Sequence, residues 1–311
     1  MTKTDKGQDF ASAAMMRLVV LGLKQQGISV PVSAPNGAHV QRFQKSDVLT
    51  GVNALHGPRA ILAIADAARS MAPEPVVQAL SRAHDIPDLM DRWHRLERFS
   101  HGRHTVAVEH LGPAGMRLTH RSLDNGPAPS IAESLLVLGL LAILAEMVGS
   151  TEVTLATETG EVWRKNGAWH DPVLPAMLES VIMTPAASSK PDPVKPATDD
   201  STYLSGDPVA ELRNIMVADP LRRWTLADLA AEAGASPRTL KRRLGERSAS
   251  FSRLVCEARV QVAAAHLCKA QGPALAEIGF IAGFADQAHF ARTFNRAVGT
   301  TPSSYRADFG Q

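Results

Sequence analysis

Two short runs carry side chains that could do chemistry on a polyanion. Residues 236–243 read SPRTLKRR and place Arg238, Lys241, Arg242 and Arg243 within six positions, with Ser236 and Thr239 among them. Guanidinium and ammonium groups at that density neutralise phosphates, and arginine can also bond both acceptors of a guanine edge. Residues 286–295 read DQAHFARTFN and are less basic, carrying Gln287, His289, Arg292 and Asn295. Amides and an imidazole can read bases or touch the nucleic-acid backbone. The charge distribution suits both runs. From residue 208 onward fourteen Lys/Arg stand against nine Asp/Glu, whereas upstream nineteen stand against twenty-two, within a whole-chain charge of +2. A positive last third is expected of a domain attracted to phosphates.

The elements that must hold these runs form a repeat. Residues 225–244 (TLADLAAEAGASPRTLKRRL) and 274–294 (ALAEIGFIAGFADQAHFARTF) align Leu226 and Leu229 with Leu275 and Ile278, and Ala230 with Gly279. They also align Gly234 with Gly283, Leu240 with Phe290 and Leu244 with Phe294, the second copy having one extra residue in the turn. The apolar pair of the first helix faces a core, and the small residue lets a second helix cross closely. Glycine at positive φ ends the first helix and turns the chain. Ser236 or Asp286 can then cap the second helix, Pro237 suits its first turn, and Thr225 with Asp228 makes a capping box. Two helices joined by a tight turn are a helix-turn-helix, whose second helix lies in a major groove with its early residues against base edges. The exposed sets are then Arg238, Thr239, Lys241, Arg242 and Arg243 in the first unit, and Gln287, Ala288, His289, Ala291, Arg292 and Asn295 in the second. Residues 251–269 lie between the units and read as one long helix with Phe251, Leu254, Val255, Ala258, Val262 and Leu267 on its apolar side. A spacing of roughly 34 Å, one turn of DNA, would put both recognition helices in successive major grooves.

The run IGFIAGFADQAHFARTFNRAVGTTPSSYR, residues 278–306, resembles the C-terminal signature of the AraC/XylS transcription regulators in Gly283-Phe284, Phe290, Phe294, Gly299, Pro302 and Tyr305-Arg306. The resemblance covers about the last hundred residues. It implies a seven-helix DNA-binding domain and activation of transcription through contact with RNA polymerase. Carried over by position, it puts Arg238, Lys241, Arg242, Gln287, Ala288 and Arg292 against double-stranded DNA. Ala288 stands where a polar residue is often found.

Upstream, residues 184–207 (TPAASSKPDPVKPATDDSTYLSGD) hold four prolines and almost no apolar side chain, the composition of a semi-extended tether. They divide the chain into residues 1–183, a linker 184–207, and residues 208–311. The first part reads as α+β. Helices are expected over 58–71, 75–83 and 88–99, the last with Leu89, Trp93 and Leu96 on one face. Strands are expected over 105–111, 116–120, 152–157 and 161–164, with turns at 112–115, 159–160 and 166–167. The stretch 57–120 distantly resembles the arabinose-binding-like domains attached to some of these regulators. That likeness implies sensing of an unidentified small-molecule effector, dimerisation, or both. Residues 135–145 (LLVLGLLAILA) are apolar all round but fall short of the ~20 residues a membrane span needs. They form either a buried helix or one in a subunit interface, which makes Leu138 the candidate centre of a homodimer contact.

Other functions are disfavoured. No phosphate-binding glycine loop, nucleophile elbow or zinc spacing is present, and Ser134 has no readable base partner, so no enzyme is expected. His94, His101, His104 and His110 cluster in sequence but lack cysteine partners and a helical His-x-x-x-His pair, so neither metal nor cofactor is expected. Cys256 and Cys268 sit twelve residues apart in one helical stretch, roughly 18 Å by helical rise. That is too far for a disulfide and suits a reducing cytoplasmic compartment. The opening decapeptide is polar and unlike a secretory signal. The remaining rival is an architectural or repressor protein whose first domain only dimerises.

Overall fold

The computed structural model describes residues 10–29, 39–71, 74–100, 103–124, 126–149, 152–174, 178–185, 207–269 and 272–310. The chain divides into two compact units, Met1–Lys190 and Pro191–Gln311.

The first unit is α+β, as its patterning implies. Strand β1 (Phe10–Ser12), helix α1 (Ala13–Gln25) and strand β2 (His39–Gln41) precede α2 (Arg42–Ile64), α3 (Ala67–Ser70), α4 (Pro75–Ser81) and α5 (Ile86–Ser100). The helix expected from residue 58 is the second half of α2. Gly57 takes a non-helical φ of 79° within it, and Pro58, which lacks an N–H, restarts the helix at little loss. Strands β3 (His104–His110) and β4 (Met116–Ser122) flank a 3-10 turn at Gly112–Ala114, and α6 (Ile131–Met147) leads to β5 (Val153–Thr157), β6 (Val162–Lys165), β7 (Ala168–Trp169) and β8 (Val181–Pro185). Apart from the separate β1-β2 pair, the strands form one antiparallel sheet in the order β3-β4-β8-β5-β6-β7.

None of β1, α1, β2 and β7 was announced by the sequence, nor was the more central β8. It lies between β4 and β5, where Met183 pairs with Met116 on one side and Leu155 on the other. Thr184 and Pro185, assigned above to the linker, are its last residues. Residues 186–206 of that linker lie outside the described residues.

Helix α6 settles the status of the apolar segment. Ser130 caps it in a reciprocal capping box with Glu133, and every residue from Ala132 to Ala145 is buried within this single chain. It packs against α2, β4 and β5. Leu138 is fully covered by its own chain, so the expectation that it centres a dimer contact is corrected: an all-round apolar helix signals burial without saying against what. At its end Glu146 accepts two hydrogen bonds from buried Arg164 (2.7 and 2.8 Å), whose guanidinium lies over Trp169 at 4.4 Å while Trp169 donates to Asp66 at 2.8 Å. Removing one partner of such a buried pair costs about 3–5 kcal/mol, so this network fixes α6 to β6, β7 and the start of α3.

Three histidines of this unit serve local hydrogen bonds. His94 Nε2 lies 2.8 Å from the Val106 carbonyl, His104 Nε2 lies 3.1 Å from that of Pro127, and His120 Nδ1 lies 3.1 Å from Ser134 Oγ. His101 lies outside the described residues. The sequence showed no base near Ser134, yet the fold supplies one. Ser134 is buried, so the pair joins β4 to α6 within the unit.

The second unit contains seven helices among its described residues: α7 (Pro208–Ala218), α8 (Leu226–Glu232), α9 (Pro237–Glu246), α10 (Phe251–Leu267), α11 (Leu275–Ile281), α12 (Gln287–Val298) and α13 (Pro302–Phe309). No helix among the described residues of either unit is long and apolar enough to cross a membrane.

Candidate nucleic-acid interface

Each half of the repeat folds as a helix pair with its own core. In the first, Leu229, Ala230, Leu240 and Leu244 pack with Leu212 and Met216 of α7 and with Leu254 and Ala258 of α10. In the second, aromatic side chains replace the leucines. Phe284 and Phe290 have ring centroids 5.0 Å apart, Phe290 and Phe294 5.8 Å, and Phe294 and Tyr305 of α13 5.4 Å. The seventeen residues of α10 span ~25 Å at helical rise. They pack against α7, α11, α12 and α13, so one rod carries both halves.

The caps fall where the residue types require. Thr225 and Asp228 form the capping box of α8. Ser236 Oγ accepts from Thr239 N at 3.1 Å to start α9, and Asp286 Oδ1 accepts from His289 N at 2.7 Å to start α12. Gly234 and Gly283 both take positive φ, 62° and 81°. The turn glycine, the cap and the two buried positions of the second helix thus have the same roles in both copies.

On α9, Arg238, Lys241 and Arg242 are exposed, whereas Arg243 is half-buried. Ser236 and Thr239 are turned to each other, their hydroxyls 2.9 Å apart, so they shape the start of the helix. Arg242 forms an i,i+4 ion pair with Glu246, both side chains well exposed. An exposed pair of this kind contributes little, so the guanidinium is readily released to a stronger partner. On α12, Ala288, Ala291, Arg292 and Asn295 make an exposed stripe, while Gln287 and His289 are half-buried. Sequence reasoning passed over Arg247 and Arg296, both exposed. Arg296 lies four residues beyond Arg292 on one helical face, a spacing that could have found it. It also passed over Arg259 of α10, whose Nε lies at the second turn, 3.4 Å from where a Cβ on Gly283 would sit.

His289 is held by its surroundings. Its ring stands edge-on to Phe284 at 5.5 Å, and Ala285 N donates to its Nδ1 at 3.2 Å. Burial, then the Arg259 guanidinium, with Arg292 and Arg296 also contributing against the opposing pull of Asp286, holds this imidazole below its usual value. His266 of α10 is lowered likewise by burial and by Lys269. Both rings therefore give up their protons more readily in the fold than in an unfolded chain, which takes up protons near the usual imidazole value of about 6.5. Their contribution to stability is present above that value and is lost as pH falls below it. The second unit is expected to melt at a lower temperature at pH 5 than at pH 7, and the double variant His266→Gln, His289→Gln should flatten that difference. An unchanged pH dependence in the double variant would refute the linkage.

A family model described as a helix-turn-helix domain matches residues 229–308. The chain is similar to the DNA-binding dual transcriptional regulator Rns of Escherichia coli, 28% identical over 95 residues that cover 30% of this chain and 36% of that protein. It is similar also to the HTH-type transcriptional regulator GadX of Escherichia coli O6:H1, 34% identical over 83 residues, 27% of this chain and 30% of that one. A solved DNA-binding transcriptional dual regulator from Escherichia coli K-12 is 27% identical with a TM-score of 0.32, covering 35% of this chain and 96% of that chain. The matched stretch spans about a third of the length of the two curated relatives.

Proposed function

We propose that the C-terminal unit, matched over residues 229–308 by the helix-turn-helix model, is of the AraC/XylS type, and that the chain is a transcription regulator that binds double-stranded DNA sequence-specifically, with α9 and α12 in successive major grooves. The observation that carries this reading is the pair of N-capped helices, each with its apolar stripe buried and its polar stripe exposed, joined through α10. Arg238, Lys241 and Arg242 contact DNA from the first unit, and Gln287, His289, Arg292 and Asn295 from the second. Arg243, Ser236 and Thr239 support the first contact from behind. The N-terminal unit senses a small-molecule effector, dimerises the chain, or both, and the regulator activates through contact with RNA polymerase.

The test begins with duplexes selected by the full chain from a random library. Arg242→Ala is expected to weaken binding to the selected duplex by about 1–3 kcal/mol if the guanidinium grips a base edge, with little change on random DNA. Lys241→Ala should weaken both equally and lower the salt dependence, as a phosphate contact does. A chain that enriches no sequence from the library would defeat the proposal.

A further inference from the structure

The recognition helix of the second unit carries a side chain whose hydrogen-bonding role is fixed before any ligand arrives. The Nδ1 atom of His289 accepts from the Ala285 backbone N–H at 3.2 Å. A backbone N–H can only donate, so Nδ1 holds the lone pair and the proton of the neutral ring sits on Nε2. The edge-on contact with Phe284 and the Asp286 cap on the His289 N–H fix the ring plane and the backbone beneath it. Among the described residues Nε2 has no partner, and the ring is only part-buried. Arg292 lies one turn further along the same face of α12. Three guanidiniums, those of Arg259 on α10 and of Arg292 and Arg296 on α12, face this imidazole, with Asp286 the opposing carboxylate.

We infer that His289 presents a tautomer-fixed Nε2–H donor to a hydrogen-bond acceptor on DNA, so that the second unit recognises acceptor positions through this group. The inference rests on the DNA-binding reading above. Phosphate oxygens, purine N7, guanine O6 and thymine O4 share that chemistry, whereas the amino groups of cytosine and adenine do not. A neutral N–H is directional, so it discriminates by position rather than by long-range attraction. The surrounding arginines supply the attraction, and the imidazole supplies the geometric constraint. This explains why a unit with fewer cations than its partner still holds a ring rigidly at the start of its exposed helix.

Three variants of the full chain separate the donor from the fold. His289→Asn places an oxygen near the position of Nδ1, keeping the Ala285 bond but removing the outward donor. His289→Gln restores an N–H near the position of Nε2, and His289→Ala removes both. On the duplex selected by the wild type, His289→Asn and His289→Ala are expected to bind about tenfold more weakly, with His289→Gln recovering most of the loss. His289→Asn should nevertheless melt with the wild type. Loss of preference at one base position in a repeated selection identifies a base acceptor; equal loss on selected and random duplexes identifies a phosphate. Either supports the inference. Wild-type affinity of His289→Asn on both duplexes, or affinities that merely follow the melting temperatures, would overturn it while leaving the DNA-binding reading intact. A wild-type chain that selects no duplex overturns both.

Discussion

Aspartate placed at position 138 is expected to unfold the N-terminal unit outright. Leu138 lies midway along α6 with no exposed surface, and its neighbours Val137, Leu141, Ala142 and Leu135 are buried with it. Truncating a leucine in such a core costs about 2–5 kcal/mol through lost burial and the cavity left behind. A carboxyl group without a hydrogen-bonding partner adds roughly 2–7 kcal/mol more, even if it neutralises itself by taking a proton. The sum reaches the entire stability of an ordinary domain, about 5–15 kcal/mol. Circular dichroism of Leu138→Asp should show the N-terminal transition lost at 25 °C while the helical second unit still melts. The sequence alone suggested a different result, dissociation of a folded dimer. A well-folded monomer with an unshifted transition in sedimentation and melting experiments would return α6 to a subunit interface.

That reversal marks the limit of reading burial from pattern. Capping, turn chemistry and helical period are local, so the repeat at 225–244 and 274–294 was legible residue by residue: Thr225, Ser236 and Asp286 each accept the backbone N–H that their side-chain type suits. β8 was not legible. VIMTP is five residues long, its last two residues merge into the Pro/Ser-rich stretch that reads as a linker, and it finds its partners more than sixty residues back in β4 as well as in nearby β5. Its pairing is a tertiary fact, and only its alternating burial hints at it. The same distinction runs through the candidate interface. That Arg242 and Arg292 face outward follows from helical period, since Leu240, Leu244, Phe290 and Phe294 must face inward. That His289 leans onto Phe284 does not follow, because χ angles answer to neighbours rather than to sequence spacing. Arg259 was invisible for a related reason: it sits on the connecting helix, and its proximity to the second turn arises from how α10 packs against α11 and α12.

Gly283→Ala is expected to disable the second helix-turn-helix, and a matched glycine provides its control. Gly283 and Gly299 both adopt left-handed φ values, 81° and 86°. An L-residue in that region costs roughly 1–2 kcal/mol, a penalty common to both. Their surroundings differ. A Cβ on Gly299 would meet nothing within 4 Å, whereas one on Gly283 would lie 2.0 Å from the Pro220 carbonyl oxygen and 2.8 Å from its carbon. Those atoms are backbone of the segment between α7 and α8, so no rotamer change relieves the overlap, and forced repacking adds about 1–3 kcal/mol or more. The turn that sets the angle between α11 and α12 must shift, and with it Phe284, Ala285 and the seat of His289. Melting curves should show Gly299→Ala lowered modestly and Gly283→Ala by at least twice as much. Binding to the selected duplex should fall sharply for Gly283→Ala and remain near wild type for Gly299→Ala. Equal effects of the two substitutions on stability would mean that backbone conformation alone requires glycine at 283, and that the close approach of Pro220 does not constrain the turn.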